Sequence, residues 1–184
     1  MRTLKDIILE KLKVDDINFD TLDEELKEKY NLVYNQRTGF YDCNEDINVD
    51  NDLITDGHFI CDFGVVKGRF NCSWHNNLKS LEGAPRKVGR DFWCNSCKNL
   101  KSLEGAPKEV GGDFICTDCK KLESLKGAPE KVNKGFYCNN CTNLKSLEGA
   151  PKEVGGDFCS YNCKNLKNYY DINSNTKISG KIYR

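Results

Sequence analysis

Residues 92–113 read FWCNSCKNLKSLEGAPKEVGGD, and this 22-residue wording recurs from Phe70, Phe114 and Phe136, with a truncated FCSYNCKNL from Phe158. A unit this short cannot bury its own apolar side, so the copies must stack and share one core as a solenoid. Within a copy, Phe92, Cys94, Cys97, Leu100, Leu103, Ala106, Pro107 and Val110 take the apolar slots, and charged residues fall between them. Alternation across Phe92-Trp93-Cys94 predicts a short strand, with Phe92 and Cys94 turned inward and Asp91, Trp93 and Asn95 turned outward. Gly105 and Pro107 then reverse the chain, and the return is too short for a helix. Extended or single-turn 3₁₀ backbone is expected there.

The flanks read differently. Thr3 with Asp6, and Thr21 with Glu24, have capping-box spacing, which predicts short helices over 3–13 and 21–30. LVYNQRTGFYD, with a polar turn at Gly39, predicts a hairpin, and Phe59-x-Cys61 imitates the start of a coil. The expected fold is α+β: a helical and hairpin cap over 1–65, a parallel β-solenoid over 66–166, and a closing segment over 167–184 that contains Ile178, Ile182 and Tyr183.

Lys plus Arg and Asp plus Glu balance at 28 each, so no global field points to nucleic acid or an anionic membrane. No run of 18 apolar residues is present, and MRTLKDIILEKLK lacks a signal peptide's apolar core, so a soluble, cytoplasmic protein is expected. In such a compartment the 11 cysteines are expected to be reduced.

Cys94-x-x-Cys97 and Cys116-x-x-Cys119 have the spacing of a four-cysteine zinc site. Stacking explains these thiols together with the Phe, Leu, Pro and Val slots that recur in register with them, so a buried thiol ladder without metal or cofactor is expected. Cys72-x-x-His75 suggests a nucleophile and base, but both face the core, and no enzymatic motif is found elsewhere. Cys43 and Cys159 are candidate exposed thiols. Lys79/Glu82, Lys101/Glu104 and Lys145/Glu148 flank the leucines, while the third copy inverts both signs as Glu123/Lys126, which fits mutual pairing or a shared counter-charge.

The outward strand row runs Asn71, Trp93, Ile115, Tyr137, Cys159. Trp74 and Asp118 stand at the bend, Tyr161 lies beside the row, and Asp91, Asp113 and Asp157 form an acidic margin. Large apolar residues aligned on an open face mark a contact surface, so Trp74, Asp91, Trp93, Asp113, Ile115, Asp118, Tyr137 and Tyr161 are the candidate protein-binding residues.

The slot pattern G-x-x-F-x-C-x-x-C-x-x-L resembles the leucine-rich repeat, with cysteine or His75 where that family has asparagine, so thiols or imidazole must satisfy the bend. The wording L-x-S-L-x-G-A-P-x-x-V-G-G-D-F-x-C is closer to repeat proteins encoded by tailed bacteriophages. That resemblance implies a non-enzymatic factor that occupies a host protein in the host cytoplasm, such as an inhibitor of a CRISPR effector. The alternatives are a zinc-dependent nucleic-acid binder, disfavoured by the acidic margin, and a structural or scaffold virion component. Self-association through the same face is a further candidate.

Overall fold

A computed structural model describes residues 22–167, 172 and 176–184, so the helix expected over 3–13 lies outside the described part. The rest is a parallel β-solenoid with one short α-helix, Glu24–Lys29, near its N-terminal end. That helix is shorter than expected. Its cap is Asp23, whose side chain accepts the Glu25 amide at 2.8 Å, while Thr21 of the expected capping box lies outside the described residues.

Two sheets line opposite sides of the coils. The first stacks Ile47–Asn48, Phe70–Asn71, Phe92–Trp93, Phe114–Ile115, Phe136–Tyr137, Phe158–Cys159 and Ile182–Tyr183, all parallel and in register. The second stacks Phe63–Val66, Lys87–Val88, Glu109–Val110, Lys131–Val132, Glu153–Val154 and Lys177–Ile178 in the same way. The extended return expected after Pro107 is thus organised as a second parallel ladder, which the sequence reading did not foresee. Two-residue strands with one outward Lys or Glu and one inward Val are too short for alternation to reveal.

Registered stacking brings identical side chains together. The rings of Phe70, Phe92, Phe114, Phe136 and Phe158 lie within 10° of parallel, with centroids 5.1 to 5.6 Å apart. They are fully buried with the leucines at 78, 81, 100, 103, 122, 125, 144 and 147. Each phenylalanine contributes about 1.5–3 kcal/mol of apolar burial, so the core strengthens with every coil added. Gly105, with φ of 90°, turns the chain where its backbone passes the carbonyl group of Leu81 so closely that a β-carbon would overlap it.

The ladders run past the ends of the repeat wording. Leu32–Asn35 and Phe40–Cys43 form the expected hairpin, and Phe40–Cys43 pairs in parallel with Phe63–Val66. Phe59-x-Cys61 does not start a coil, because His58–Phe59 pairs antiparallel with Ile54–Thr55. The Phe59 ring meets Phe63 and Phe70 edge-on instead.

The charged pairs link neighbouring coils. Lys126 meets Glu104 at 3.0 Å, Lys145 meets Glu123 at 2.8 Å, Lys152 meets Glu130 at 2.8 Å and Lys87 meets Glu109 at 2.6 Å. The sign inversion in the third copy therefore gives it charges opposite to those of the coil below and the coil above.

Candidate protein-binding face

The thiols have a structural task. In the second cysteine slot, Cys97, Cys119, Cys141 and Cys163 each donate to the carbonyl of Cys72, Cys94, Cys116 and Cys138 respectively, all at 3.2 Å. His75 occupies that slot in the first full coil, and its Nε2 meets the Val49 carbonyl at 3.0 Å. Thiol and imidazole thus satisfy bend carbonyls that no backbone amide reaches, and His75 is half-buried, not core. All eleven cysteines are free thiols. Burial pushes those of Cys72, Cys94, Cys116 and Cys138 well above the ordinary thiol range, which disfavours a nucleophilic thiolate. Among the described residues, no group of three or more His, Cys, Asp or Glu is arranged to hold a metal ion. Cys43 and Cys159 are buried, correcting the expectation of exposed thiols, because the hairpin covers the first and the tyrosines on either side flank the second.

The outward row is continuous: Asn71, Trp93, Ile115, Tyr137, Cys159 and Tyr183 are paired position by position across six coils. Trp93, Ile115 and Tyr137 are half-buried, less open than the sequence suggested, because neighbouring side chains lean on them. The Arg69 guanidinium lies over the Trp93 ring, 4.3 Å from its centroid. The Trp93 indole N–H is buried and has no hydrogen-bond partner among the described residues, while Arg69 Nε, also buried, faces Asp91 Oδ2. Burial, and secondarily Asp113, push the Tyr137 phenol upward from its ordinary pKa.

The acidic margin is internal scaffolding in large part. Asp91 Oδ1 accepts the Asp113 amide at 2.9 Å, Asp113 Oδ1 accepts the Gly135 amide at 2.7 Å, and Asp157 Oδ1 accepts the Lys181 amide at 2.7 Å. Each carboxylate replaces the ladder bond at the corner entering the strand, and Asp91 is further engaged by Arg69 at 3.6 Å. Asp118 pairs with Lys120 at 2.7 Å.

Trp74 stands apart from the other candidates. It is 71 % exposed and holds φ of 70° in the bend slot where Ser96, Asp118, Asn140 and Asn162 hold 58–60°. Asn and Asp tolerate that left-handed region, but a bulky side chain there is strained, by about 1–3 kcal/mol. A groove of about 370 Å³ brings Trp74 together with Trp93 and Ile115, and amide and hydroxyl side chains complete its wall. Tyr137, Asp118 and Tyr161 lie outside that groove, farther along the face. Tyr183, Arg69 and the strain at Trp74 were missed from sequence. A Trp where other coils place Ser, Asp or Asn was the available signal.

No family model, curated protein or solved structure matches the chain. The likeness to leucine-rich repeats and phage-encoded repeat proteins therefore rests on repeat wording alone. No described helix is long and apolar enough to cross a membrane.

Proposed function

We propose that the protein is a non-enzymatic binding module whose outward Phe-ladder face docks a protein partner. The observation that carries this assignment is Trp74, a large apolar side chain held exposed on strained backbone at a position where neighbouring coils use Ser, Asp or Asn. Strain of this kind accumulates at ligand contacts, and tryptophan is the commonest interface anchor. The aligned Trp93, Ile115 and Tyr137 extend the surface, with Tyr161 and Tyr183 exposed at its far end. Raised thiol pKa values and a structurally engaged His75 support the non-enzymatic assignment.

In its most concrete form, taken from the resemblance to phage repeat proteins, the module acts in a bacterial cytoplasm by occupying a defence effector of the CRISPR kind, without direct nucleic-acid contact. The test captures partners from bacterial lysate with the full chain and with Trp93→Ala/Tyr137→Ala. Loss of capture in the double variant, with Lys101→Ala/Glu104→Ala unaffected, is expected. Undiminished capture by the aromatic variant would remove the face from consideration. Failure of the intact protein to protect a CRISPR-targeted plasmid would remove the defence-inhibitor form alone.

A further inference from the structure

Both ladders stop at strands with no neighbour on their outer side. Ile182–Tyr183 is one edge of the first sheet, and Lys177–Ile178 is one edge of the second. Ile182 takes the slot that Phe70, Phe92, Phe114, Phe136 and Phe158 fill in the coils below, yet it is 41 % exposed where they are fully buried. Ile178 continues the valine row and is only half-buried. The core is therefore open at this end. The opposite end is covered: Ile47, the far edge of the first sheet, is buried in one cluster with Tyr30, Leu32 and Tyr41 of the cap.

The open edge is self-complementary. The Phe158 amide donates to the Lys181 carbonyl and the Ser160 amide to the Tyr183 carbonyl, so the ladder turns the N–H and C=O of Ile182 outward together. On the second sheet, the Lys177 and Ser179 amides donate to the Lys152 and Val154 carbonyls, which turns the N–H and C=O of Ile178 outward likewise. None of these four groups is met among the described residues. Antiparallel pairing joins two residues of this kind by a mutual pair of N–H···O=C bonds. A single two-fold axis perpendicular to both sheets sets Ile182 against Ile182 of a second copy and Ile178 against its own equivalent.

Charge placement favours the same axis. Lysine on an edge strand deters pairing where it meets its like. Here Lys181 falls opposite Tyr183 of the second copy, whose ring is a favourable neighbour for a cation, and Lys177 falls opposite Ser179. No cation directly opposes a cation, and the four inward isoleucines complete one core.

We propose that the open end is an interface between two copies of this chain, which pair antiparallel through Ile182–Tyr183 and Lys177–Ile178 into a closed two-fold dimer. Because the other end is capped, association stops at two copies and does not grow into a fibre. The axis passes through both sheets, so the outward Phe-ladder faces of the two copies lie on the same side of the dimer. The binding face proposed above is then offered twice, although the dimer does not rest on that face.

Sedimentation equilibrium of the full chain over the micromolar range reads the stoichiometry. A concentration-dependent species at twice the 21.0 kDa chain mass, with none larger, is expected. Ile182→Pro deletes an outward amide, which a sheet edge tolerates, and Tyr183→Lys sets lysine against Lys181 of the second copy. Each should weaken association by about tenfold or more, with the circular dichroism spectrum unchanged. Val33→Lys, at the exposed edge of the capped end, and Trp74→Asn, on the outward face, should leave association as it is. In hydrogen exchange, the Ile178 and Ile182 amides should slow as concentration rises. A monomer throughout, a mass series beyond two copies, association untouched by both end variants, or association lost with Val33→Lys or Trp74→Asn would each overturn the proposal.

Discussion

The Tyr137 ring lies across Gly135, so close that a β-carbon at 135 would overlap the phenol oxygen and the ring edge. The same corner holds Asp91, Asp113 and Asp157 in other coils, so the glycine at 135 makes room for Tyr137. Gly135→Ala should therefore force the ring off its seat and cost about 1 kcal/mol, within the overpacking range. In a Tyr137→Ala background that cost should vanish. Urea unfolding of the four-member double-mutant cycle measures the coupling, and additive penalties would show that the two residues are independent.

Trp74→Asn places at the strained bend the residue that already occupies it as Asn140 and Asn162. Stability should rise by about 1 kcal/mol as the left-handed strain is relieved, while partner binding falls. Thermal melts paired with capture assays read both quantities. A drop in melting temperature would mean that Trp74 is a structural contact instead.

The two cysteine slots should respond differently to serine. Cys119 donates to the Cys94 carbonyl, so Cys119→Ala leaves that carbonyl unmet, at about 1–3 kcal/mol, and Cys119→Ser should cost less because a hydroxyl can still donate. At the first slot the chain already contains the experiment: Ser160 is fully buried and its hydroxyl has no partner among the described residues. Ser160→Cys should raise stability by about 1 kcal/mol, since it replaces an unmet buried hydroxyl with a softer thiol. Equilibrium unfolding of the three variants decides the order.

The buried thiols also fix an alkaline limit. Their protons are held to higher pH in the folded chain than in the unfolded one, so above the ordinary thiol pKa near 9 the folded state carries more protons. Stability is then complete below that value and falls as pH rises through the window above it, by up to about 1.4 kcal/mol per pH unit for each thiol. Urea midpoints should be flat from pH 7 to 8 and drop steeply by 9.5. A flat profile through 9.5 would show that the thiols are not buried as a ladder.

Phe92, Cys94, Leu100 and Val110 declared the coil, its inward slots and the outward row Trp93-Ile115-Tyr137, because identical residues at identical spacing have one packing explanation. What stayed hidden depends on neighbours one coil away. Glu123 and Lys126 look like flanking charges in linear order, yet their partners are Lys145 and Glu104. Asp91 and Asp113 look like free surface carboxylates, yet each holds the next coil's amide. Within the candidate face, sequence identified the aromatics but not which of them share a groove, since Trp74 and Trp93 meet only after the bend turns left-handed.

Glu123→Lys/Lys126→Glu, which restores the majority wording, should therefore destabilise the protein. It sets like charges against Lys101, Lys145, Glu104 and Glu148, at about 0.2–1 kcal/mol per lost pair. The loss should shrink in 1 M salt, where the screening length falls to about 3 Å. An effect independent of salt would show that the charges act through packing.

The inverted third copy also governs how such a chain can change length. Excising residues 114–135 alone would bring Lys101 beside Lys145, Glu104 beside Glu148, Lys108 beside Lys152 and Glu109 beside Glu153. Excising residues 92–113 would instead seat the third copy on the first, where Lys79 meets Glu123, Glu82 meets Lys126 and Arg86 meets Glu130. Which coil is lost therefore matters more than how many, and a chain lacking residues 114–135 should melt below a chain lacking residues 92–113.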